Sequence, residues 1–235
     1  MIHVFFNIDD KYERHCKTVI RSIKAHTNEN ICFHIIGLDN FDFKDNVKCY
    51  GVPDVSILKY KNRLGYISSA ASYRLFAPSI LEDLDKVIYL DCDLIVLDDI
   101  KKLWDYNVKC IAGVQDPLYN YHAKRNGLKH LYINSGVMVM NLKYLRKINY
   151  LERIAETQNG LYDVSLLDQD IINIAFGNLI EHLPLKWNVY SKIYAETTYD
   201  MIEARKNPSI IHWCGNKKPW NADVWYAEEW RKYDS

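Results

Sequence analysis

The run Val87-Ile88-Tyr89-Leu90-Asp91-Cys92-Asp93 holds the residues best placed to do chemistry. An apolar stretch delivers two carboxylates one residue apart, then turns apolar again at Leu94-Ile95-Val96. Residues two apart in an extended chain point to the same side, and a turn at Cys92 lets both acids converge on one ion, or sets one on the metal and one on a sugar or ribose. Half-buried carboxylates are costly unless a cation meets them. A divalent metal is the most compact such cation, and a phosphate-bearing substrate is the commonest reason to hold one there. The pattern points to an enzyme acting on a phosphorylated donor. The competing reading is a solvated strand end.

Other constellations stand at strand ends or helix starts. His212-Trp213-Cys214-Gly215-Asn216-Lys217-Lys218-Pro219-Trp220 follows a short apolar run. The His212 imidazole there can complete a metal shell, Gly215 admits a close backbone approach, and Lys218 can meet a phosphate as a point charge. Asp9 closes the first apolar run, where ligands of open α/β sheets bind. It can accept from a base or ribose while Tyr12 stacks, unless Asp10 and its neighbours only cap the next helix. Asn134-Ser135-Gly136 places polar groups inside an apolar strand. Asp168-Gln169-Asp170 opens an apolar helix, with capping as the plainer role for Asp168. Arg74 can reach a carboxylate or a sugar hydroxyl.

The elements that must position these residues follow from periodicity. Ile2 to Ile8 reads as a buried strand, Tyr12 to His26 as a helix and Ile31 to Leu38 as a second strand, the opening of an α/β sheet. Val47 to Val52 reads as a strand, followed by a polar, flexible stretch through Gly65. Ile67 to Ala77 reads as a helix stopped by Pro78. After the Asp91 strand come a short helix at Lys101 to Trp104, a strand at Lys109 to Gln115, and a polar, aromatic loop or irregular helix at Leu118 to His130. Ile133 to Leu142 reads as a strand interrupted at Asn134-Ser135-Gly136. Tyr144 to Thr157 and Asp168 to Phe176 read as helices, and Leu179 to Tyr190 as extended. A helix at Met201 to Lys206, a strand at Ser209 to Trp213 and an amphipathic helix at Val224 to Tyr233 complete the chain.

Composition sets bounds. The chain has 235 residues, 49% of them hydrophobic, and a formal net charge of zero. It can bury a full core, and nothing draws it to nucleic acid or to an anionic membrane. The 18 tyrosines and 6 tryptophans suit stacking on bases and sugars as well as ordinary packing. The six cysteines include no C-x-x-C pair, so they read as small buried hydrophobes in a reducing compartment. No secretion signal or membrane span is visible, and the expected location is the cytoplasm.

Taken together, six blocks resemble the retaining GT-A glycosyltransferases of family 8, which include bacterial lipopolysaccharide galactosyl- and glucosyltransferases and glycogenin. The blocks are Asn7-Ile8-Asp9-Asp10, Tyr73-Arg74-Leu75, Tyr89-Leu90-Asp91-Cys92-Asp93, Asn134-Ser135-Gly136, Asp168-Gln169-Asp170, and His212-Trp213-Cys214-Gly215 with Lys217-Lys218-Pro219-Trp220. They keep the family's order over nearly the whole chain. The resemblance implies an α/β GT-A fold, a single Rossmann-like mixed sheet flanked by helices. It implies one domain over 1–235, with a nucleotide-binding half to about residue 100 and an acceptor half and metal/phosphate block after it.

The activity implied is metal-dependent, retaining transfer of galactose or glucose from a UDP-sugar to a saccharide, lipopolysaccharide, capsule or glycoprotein-glycan acceptor, as in bacterial polysaccharide synthesis. Asp91, Asp93 and His212 would bind Mn²⁺, with Mg²⁺ as the alternative ion. Asn7, Asp9 and Tyr12 would contact uridine, and Gly215 and Lys218 the diphosphate. Arg74, Asn134, Asp168 and Gln169 would hold the donor sugar, with Cys92 and Ser135 in the same donor-binding blocks. Gln169, Asp168 and Lys218 would carry the chemistry, Gln169 beside the anomeric carbon. Lys11 departs from a small polar residue in the family, and Tyr66 from a histidine. The basic, aromatic tail with which some relatives bind membrane is not expected, which leaves only peripheral membrane contact open. The rival functions are a nucleotide-sugar-binding module without activity and a phosphatase of the haloacid-dehalogenase type.

Overall fold

The computed structural model describes residues 1–58, 69–159 and 165–234. Its strands are β1 (Ile2–Asn7), β2 (Ile31–Ile36), β3 (Val47–Tyr50), β4 (Lys86–Leu90), β5 (Leu94–Val96), β6 (Ile111–Gln115), β7 (Ile133–Asn141), β8 (Ile180–His182), β9 (Val189–Tyr190) and β10 (Ile210–His212). Its helices are α1 (Glu13–His26), α2 (Ala77–Ile80), α3 (Lys101–Trp104), α4 (Tyr119–Arg125), α5 (Leu142–Lys147), α6 (Tyr150–Asn159), α7 (Asp168–Phe176), α8 (Tyr199–Ala204) and α9 (Ala227–Arg231).

Seven strands form one mixed sheet in the order β3-β2-β1-β4-β7-β6-β8. Only β7 runs against its neighbours, β4 and β6. The order turns back beside β1 and β4, so the ends of these strands open a crevice at the middle of the sheet. Alternation along β1 sends Val4 and Phe6 to one face, against α1, and Phe5 to the other. On that second face Phe5 meets Tyr89 of β4, ring centroids 4.8 Å apart. Helices and irregular segments therefore cover both faces, and the inner strands read as continuous apolar runs.

A small sheet, β5-β10-β9, stands beside the large one. Its register sets His212 opposite Leu94, and the Trp213 N–H donates to the Asp93 carbonyl at 2.9 Å. This pairing carries the end of the chain to the acidic turn after β4. No helix among the described residues is long and apolar enough to cross a membrane.

Four local expectations are corrected. Pro78 does not stop a helix: a 3-10 helix at Ser69–Phe76 leads into α2, and Pro78 sits in its first turn, where its missing N–H costs nothing. The strand at Asn134-Ser135-Gly136 is not broken. Along β4 it stays paired, with the Asp91 N–H on the Gly136 carbonyl at 2.8 Å, whereas along β6 the register jumps between Gly113 and Val114. The helix expected over Tyr144 to Thr157 is two helices, α5 and α6, divided at Asn149, whose φ is +54°. The extended stretch from Leu179 is bent by a 3-10 turn at Leu185–Asn188. Tyr66, Ile67 and Gly65 lie outside the described residues.

Candidate functional site

Every site residue singled out from the sequence lines one cleft of about 580 Å³ at the open end of β1 and β4. Asp91 and Asp93 leave β4 through a bend at Cys92. His212 arrives from β10, its Nε2 at 3.0 Å from Asp93 Oδ1 and 3.6 Å from Asp91 Oδ2. One ligand atom from each of the three residues lies within 4.8 Å of the others. Two carboxylate oxygens and an imidazole nitrogen so placed suit a divalent cation.

The space is kept by a residue that has no side chain. A Cβ on Gly136 would stand 2.6 Å from Asp91 Oδ2 and 2.9 Å from His212 Nδ1, closer than real contacts allow. The glycine of the Asn-Ser-Gly triplet is thus dictated by the groups it faces across the sheet edge.

The charges are interlocked. Burial alone would raise the Asp93 carboxyl, yet Lys218 and His212 hold it well below the usual carboxylate range. Lys218 Nζ donates to Asp93 Oδ2 and to the Trp213 carbonyl. Burial opposes a charge on His212, but Cys214 beside it and the Asp93 carboxylate outweigh that, so its pKa stands well above the ordinary value. The acids therefore already collect positive charge, from a proton on His212 and from the Lys218 ammonium. A metal cation would replace the Nε2 proton in the same place.

A second group forms the wall of the cleft away from His212. Arg74, from the 3-10 helix, is buried, donates from Nε to the Ala71 carbonyl at 2.8 Å and bridges Asp91, Ser135 and Asp168. It donates to Asp91 Oδ1 at 2.8 Å and to the Ser135 carbonyl at 2.9 Å, and its Nε lies 3.1 Å from Asp168 Oδ2. The Tyr89 hydroxyl also donates to Asp91 Oδ1. Burial pushes the Asp168 carboxyl up to about 6, against the pull of Arg74, because that one guanidinium also serves Asp91. Gln169 is held at both ends of its amide: Oε1 accepts from Asn134 Nδ2 at 2.8 Å and the Ser135 N–H at 3.1 Å, and Nε2 donates to Asp116 at 3.2 Å. The strained backbone of Leu167, φ +52°, aims this first turn of α7 into the cleft.

At the β1 end, Asn7 donates to the Ala70 carbonyl at 2.7 Å, while its buried Oδ1 meets no donor among the described residues. Asp9 accepts the Lys11 N–H and caps the turn at Asp10–Tyr12, so the capping role holds for it while it also lines the cleft. The exposed Lys11 contributes its backbone N–H to that turn. Tyr12 packs edge-on to Trp220. Gly215 has φ +91° with nothing within 4 Å of a built Cβ, which leaves its backbone open to the cleft. The Cys92 thiol belongs to the core, beside Cys16, where burial raises it well above a free thiol.

Sequence reasoning missed two residues that line the cleft, Asp116 and His122, and one that lies behind His212, Asn188. Asp116 follows β6 as Asp91 follows β4, the same signal of an apolar run closed by an acid, and it accepts from Gln169 and from Tyr190 at 2.9 Å. His122, on α4, lies 3.9 Å from Asp116 and lines the cleft. Asn188 accepts from His212 Nδ1 at 3.0 Å and donates to Asn134 at 2.8 Å. Nothing local marks Asn188, because its partners come from other elements.

The family model described as Glycosyl transferase family 8 matches residues 3–224. The chain is 28% identical over 267 residues to general stress protein A of Bacillus subtilis, spanning 100% of this chain and 93% of that protein. It is 31% identical over 234 residues to glycosyltransferase GlyA of Streptococcus pneumoniae, spanning 92% of this chain but 32% of that protein. Among solved structures, galactosyltransferase LgtC in complex with donor and acceptor sugar analogues superposes with a TM-score of 0.84 at 23% identity, over 99% of this chain and 95% of its own. The fold they share is GT-A.

Proposed function

The chain belongs to glycosyl transferase family 8, and from that membership we propose that it moves a hexose, galactose or glucose, from a UDP-sugar to a hydroxyl of a saccharide acceptor, with retention at the anomeric carbon. Residues 1–235 act as one unit in this reading, the nucleotide held by the first half. The observation that carries it is the convergence of Asp91, Asp93 and His212 around the space left by Gly136. These three residues would hold a divalent ion, Mn²⁺ first and Mg²⁺ second. When bound, the ion supplies Lewis-acid stabilisation of the charge that develops on the departing diphosphate.

The rest falls to the chain's own side chains. Asn7, through its unpartnered Oδ1, and Asp9 accept from the uridine while Tyr12 packs against it. The open backbone at Gly215 and the Lys218 ammonium face the diphosphate, and Lys218 neutralises charge as the bond to the sugar breaks. Arg74, Asn134 and Asp168 orient the sugar hydroxyls over Gln169. An amide already bonded at both ends is a poor nucleophile, which supports attack on the same face that the leaving group departs from. In that step the bond from C1 to the phosphate oxygen breaks, the bond from C1 to the acceptor oxygen forms, and the acceptor proton passes to the leaving phosphate. Positioning supplies much of the rate.

The test is a panel of UDP-sugars with Mn²⁺, reading free UDP and the anomeric configuration of the product. One hexose donor is expected to be consumed with retention. Asp93→Ala should lower turnover by at least ~10²-fold, the scale of removing one transition-state stabiliser, without changing the circular dichroism spectrum. Equal turnover by wild type and Asp93→Ala, or by wild type in EDTA, overturns the metal assignment.

A further inference from the structure

At the amino end of β1, on the far side of the sheet's middle from the cleft, three more ligand-type side chains meet. The register of β1 on β2 pairs His3 with Cys32 and Phe5 with His34. Alternation puts His3, Cys32 and His34 on one face of the sheet. One ligand atom from each lies within 4.8 Å of the other two. His3 Nδ1 is 3.0 Å from His34 Nε2, and His34 Nδ1 is 3.0 Å from the Tyr50 hydroxyl on β3. Cys32 and His34 are buried, at 2% and 1% exposure, while His3 is partly open to solvent.

This arrangement has the features of a preformed N₂S site. Two imidazole nitrogens 3.0 Å apart share a single proton. When the Tyr50 oxygen accepts the His34 Nδ1–H, the Nε2 lone pair of His34 is turned toward His3 and Cys32. That is the orienting contact a ligating histidine ordinarily has from its other nitrogen. Burial lowers the pKa of His3 and, with His3 and Lys48, brings that of His34 down to about 4, while it raises that of the Cys32 thiol. Zinc–nitrogen bonds of about 2.0–2.1 Å in a tetrahedron need the two nitrogens roughly 3.3 Å apart, a small opening of the present contact.

We infer that His3, Cys32 and His34 form a second metal-binding site, outside the cleft, whose donor set suits Zn²⁺. The paired imidazoles and thiolate select a borderline transition metal over Mg²⁺ or Mn²⁺. Binding forms two metal–nitrogen bonds and one metal–sulfur bond. The Cys32 thiol gives its proton to solvent, and the shared His3 proton moves from Nδ1 to Nε2 of the same ring. The fourth position faces the open side, by His3, and takes water. Lys48, paired with His34 on β3, acts in two directions: it favours the thiolate and opposes the cation. The site joins β1 to β2 directly and is independent of the transfer reaction.

The full chain, stripped with EDTA and titrated with Co²⁺ alone, tests this. The expected result is a near-ultraviolet thiolate-to-cobalt absorption that, in Asp93→Ala, where the cleft no longer competes for the ion, saturates at one ion per chain and is abolished by an equivalent of Zn²⁺. Cys32→Ser should remove that absorption. Asp93→Ala, in the cleft, should keep it. The partly exposed His3→Gln, which spares the core, should weaken Zn²⁺ binding by at least ~10-fold with an unchanged melting temperature in EDTA. Absence of the absorption at saturating Co²⁺ overturns the inference, as does its persistence in Cys32→Ser.

Discussion

His212 gives its two ring nitrogens to different oxygens, and what lies behind Nδ1 matters as much as what lies before Nε2. The Nδ1–H reaches Asn188 Oδ1, Asn188 Nδ2 reaches Asn134 Oδ1, Asn134 Nδ2 reaches Gln169 Oε1, and Gln169 Nε2 ends on Asp116. Every amide in this chain donates in one direction, toward Asp116, a carboxylate that only accepts when ionised. The orientation of Gln169 under the sugar and the tautomer of the metal-facing histidine are therefore set together. Asn188→Leu removes the acceptor behind Nδ1, and Mn²⁺ affinity should fall by about 10–100-fold, the usual effect of losing such a partner. Asn188→Asp keeps the acceptor and should restore most of it. Calorimetry of Mn²⁺ with UDP checks both, and equal affinities in all three proteins would remove the orienting role. The Asp91 and Asp93 pair is legible in the sequence because two charges closing an apolar run conflict with burial. Asn188 is not, because its meaning lies in partners 24 and 54 residues away.

Among the elements, β7 shows how a local irregularity becomes a site. Seen alone, Asn134-Ser135-Gly136 looks like an interruption, since polar side chains and a glycine weaken a strand. Pairing with β4 reaches Val137 and one further bond at Gly136, pairing with β6 resumes at Asn134 and Ile133, and the register jump between them lets the triplet bulge toward the cleft. Bulges of this kind re-aim side chains beside active sites. Gly136→Ala should drive a methyl group into Asp91 and His212, destabilise the protein by about 1–3 kcal/mol as overpacking does, and remove Mn²⁺-dependent UDP binding. Urea unfolding and calorimetry measure the two effects separately; intact Mn²⁺-dependent binding would show that the glycine does not keep that space. The same limit on local reading explains the other corrections. Periodicity identified α7 and α3 with their boundaries because each is a single short run with no positive φ inside it. It ran α5 and α6 together because a positive φ at Asn149 leaves the apolar spacing almost intact. It read Pro78 as a stop because the sequence does not show that a 3-10 helix precedes it.

At the scale of the whole molecule, the end of the chain closes over its beginning. Arg14 and Arg21 of α1 reach Asp234 and the Tyr233 carbonyl at 2.7 and 3.1 Å, and His15 stacks on Trp220 with centroids 3.7 Å apart. The tail helix was visible as an amphipathic pattern, but its docking site 220 residues earlier was not. This closure has a consequence for acid stability. Burial, opposed by Asp234, lowers the His15 pKa to about 4, and His34 is lowered to about 4 by burial and by His3 and Lys48. An unfolded histidine titrates near 6.5, so between pH 6.5 and 4 the unfolded chain takes up protons that the folded one refuses. Stability from both groups is present above that window and is lost as pH falls through it. Asp168 acts the other way: its folded pKa of about 6 exceeds the value of about 3.9 for an unfolded aspartate, so it returns some stability over much of the same range. Burial lowers His3, His122 and His182 as well, and these losses together outweigh the gains from Asp168, from Asp170, which burial raises, and from His212, held above its unfolded value, although His15 is partly exposed and its share is reduced by solvent. Below pH 4 the carboxylates held low, Asp93 and Asp98, begin to lose their contribution as well. The EDTA-treated protein should therefore show a urea midpoint that falls steadily from pH 7 to pH 4. In His15→Gln, which leaves one titrating group fewer, that fall should be shallower even if the midpoint at pH 7 is lower. Parallel slopes for the two proteins would mean that His15 takes up its proton as readily folded as unfolded, and that the clasp between the tail and α1 does not hold it neutral.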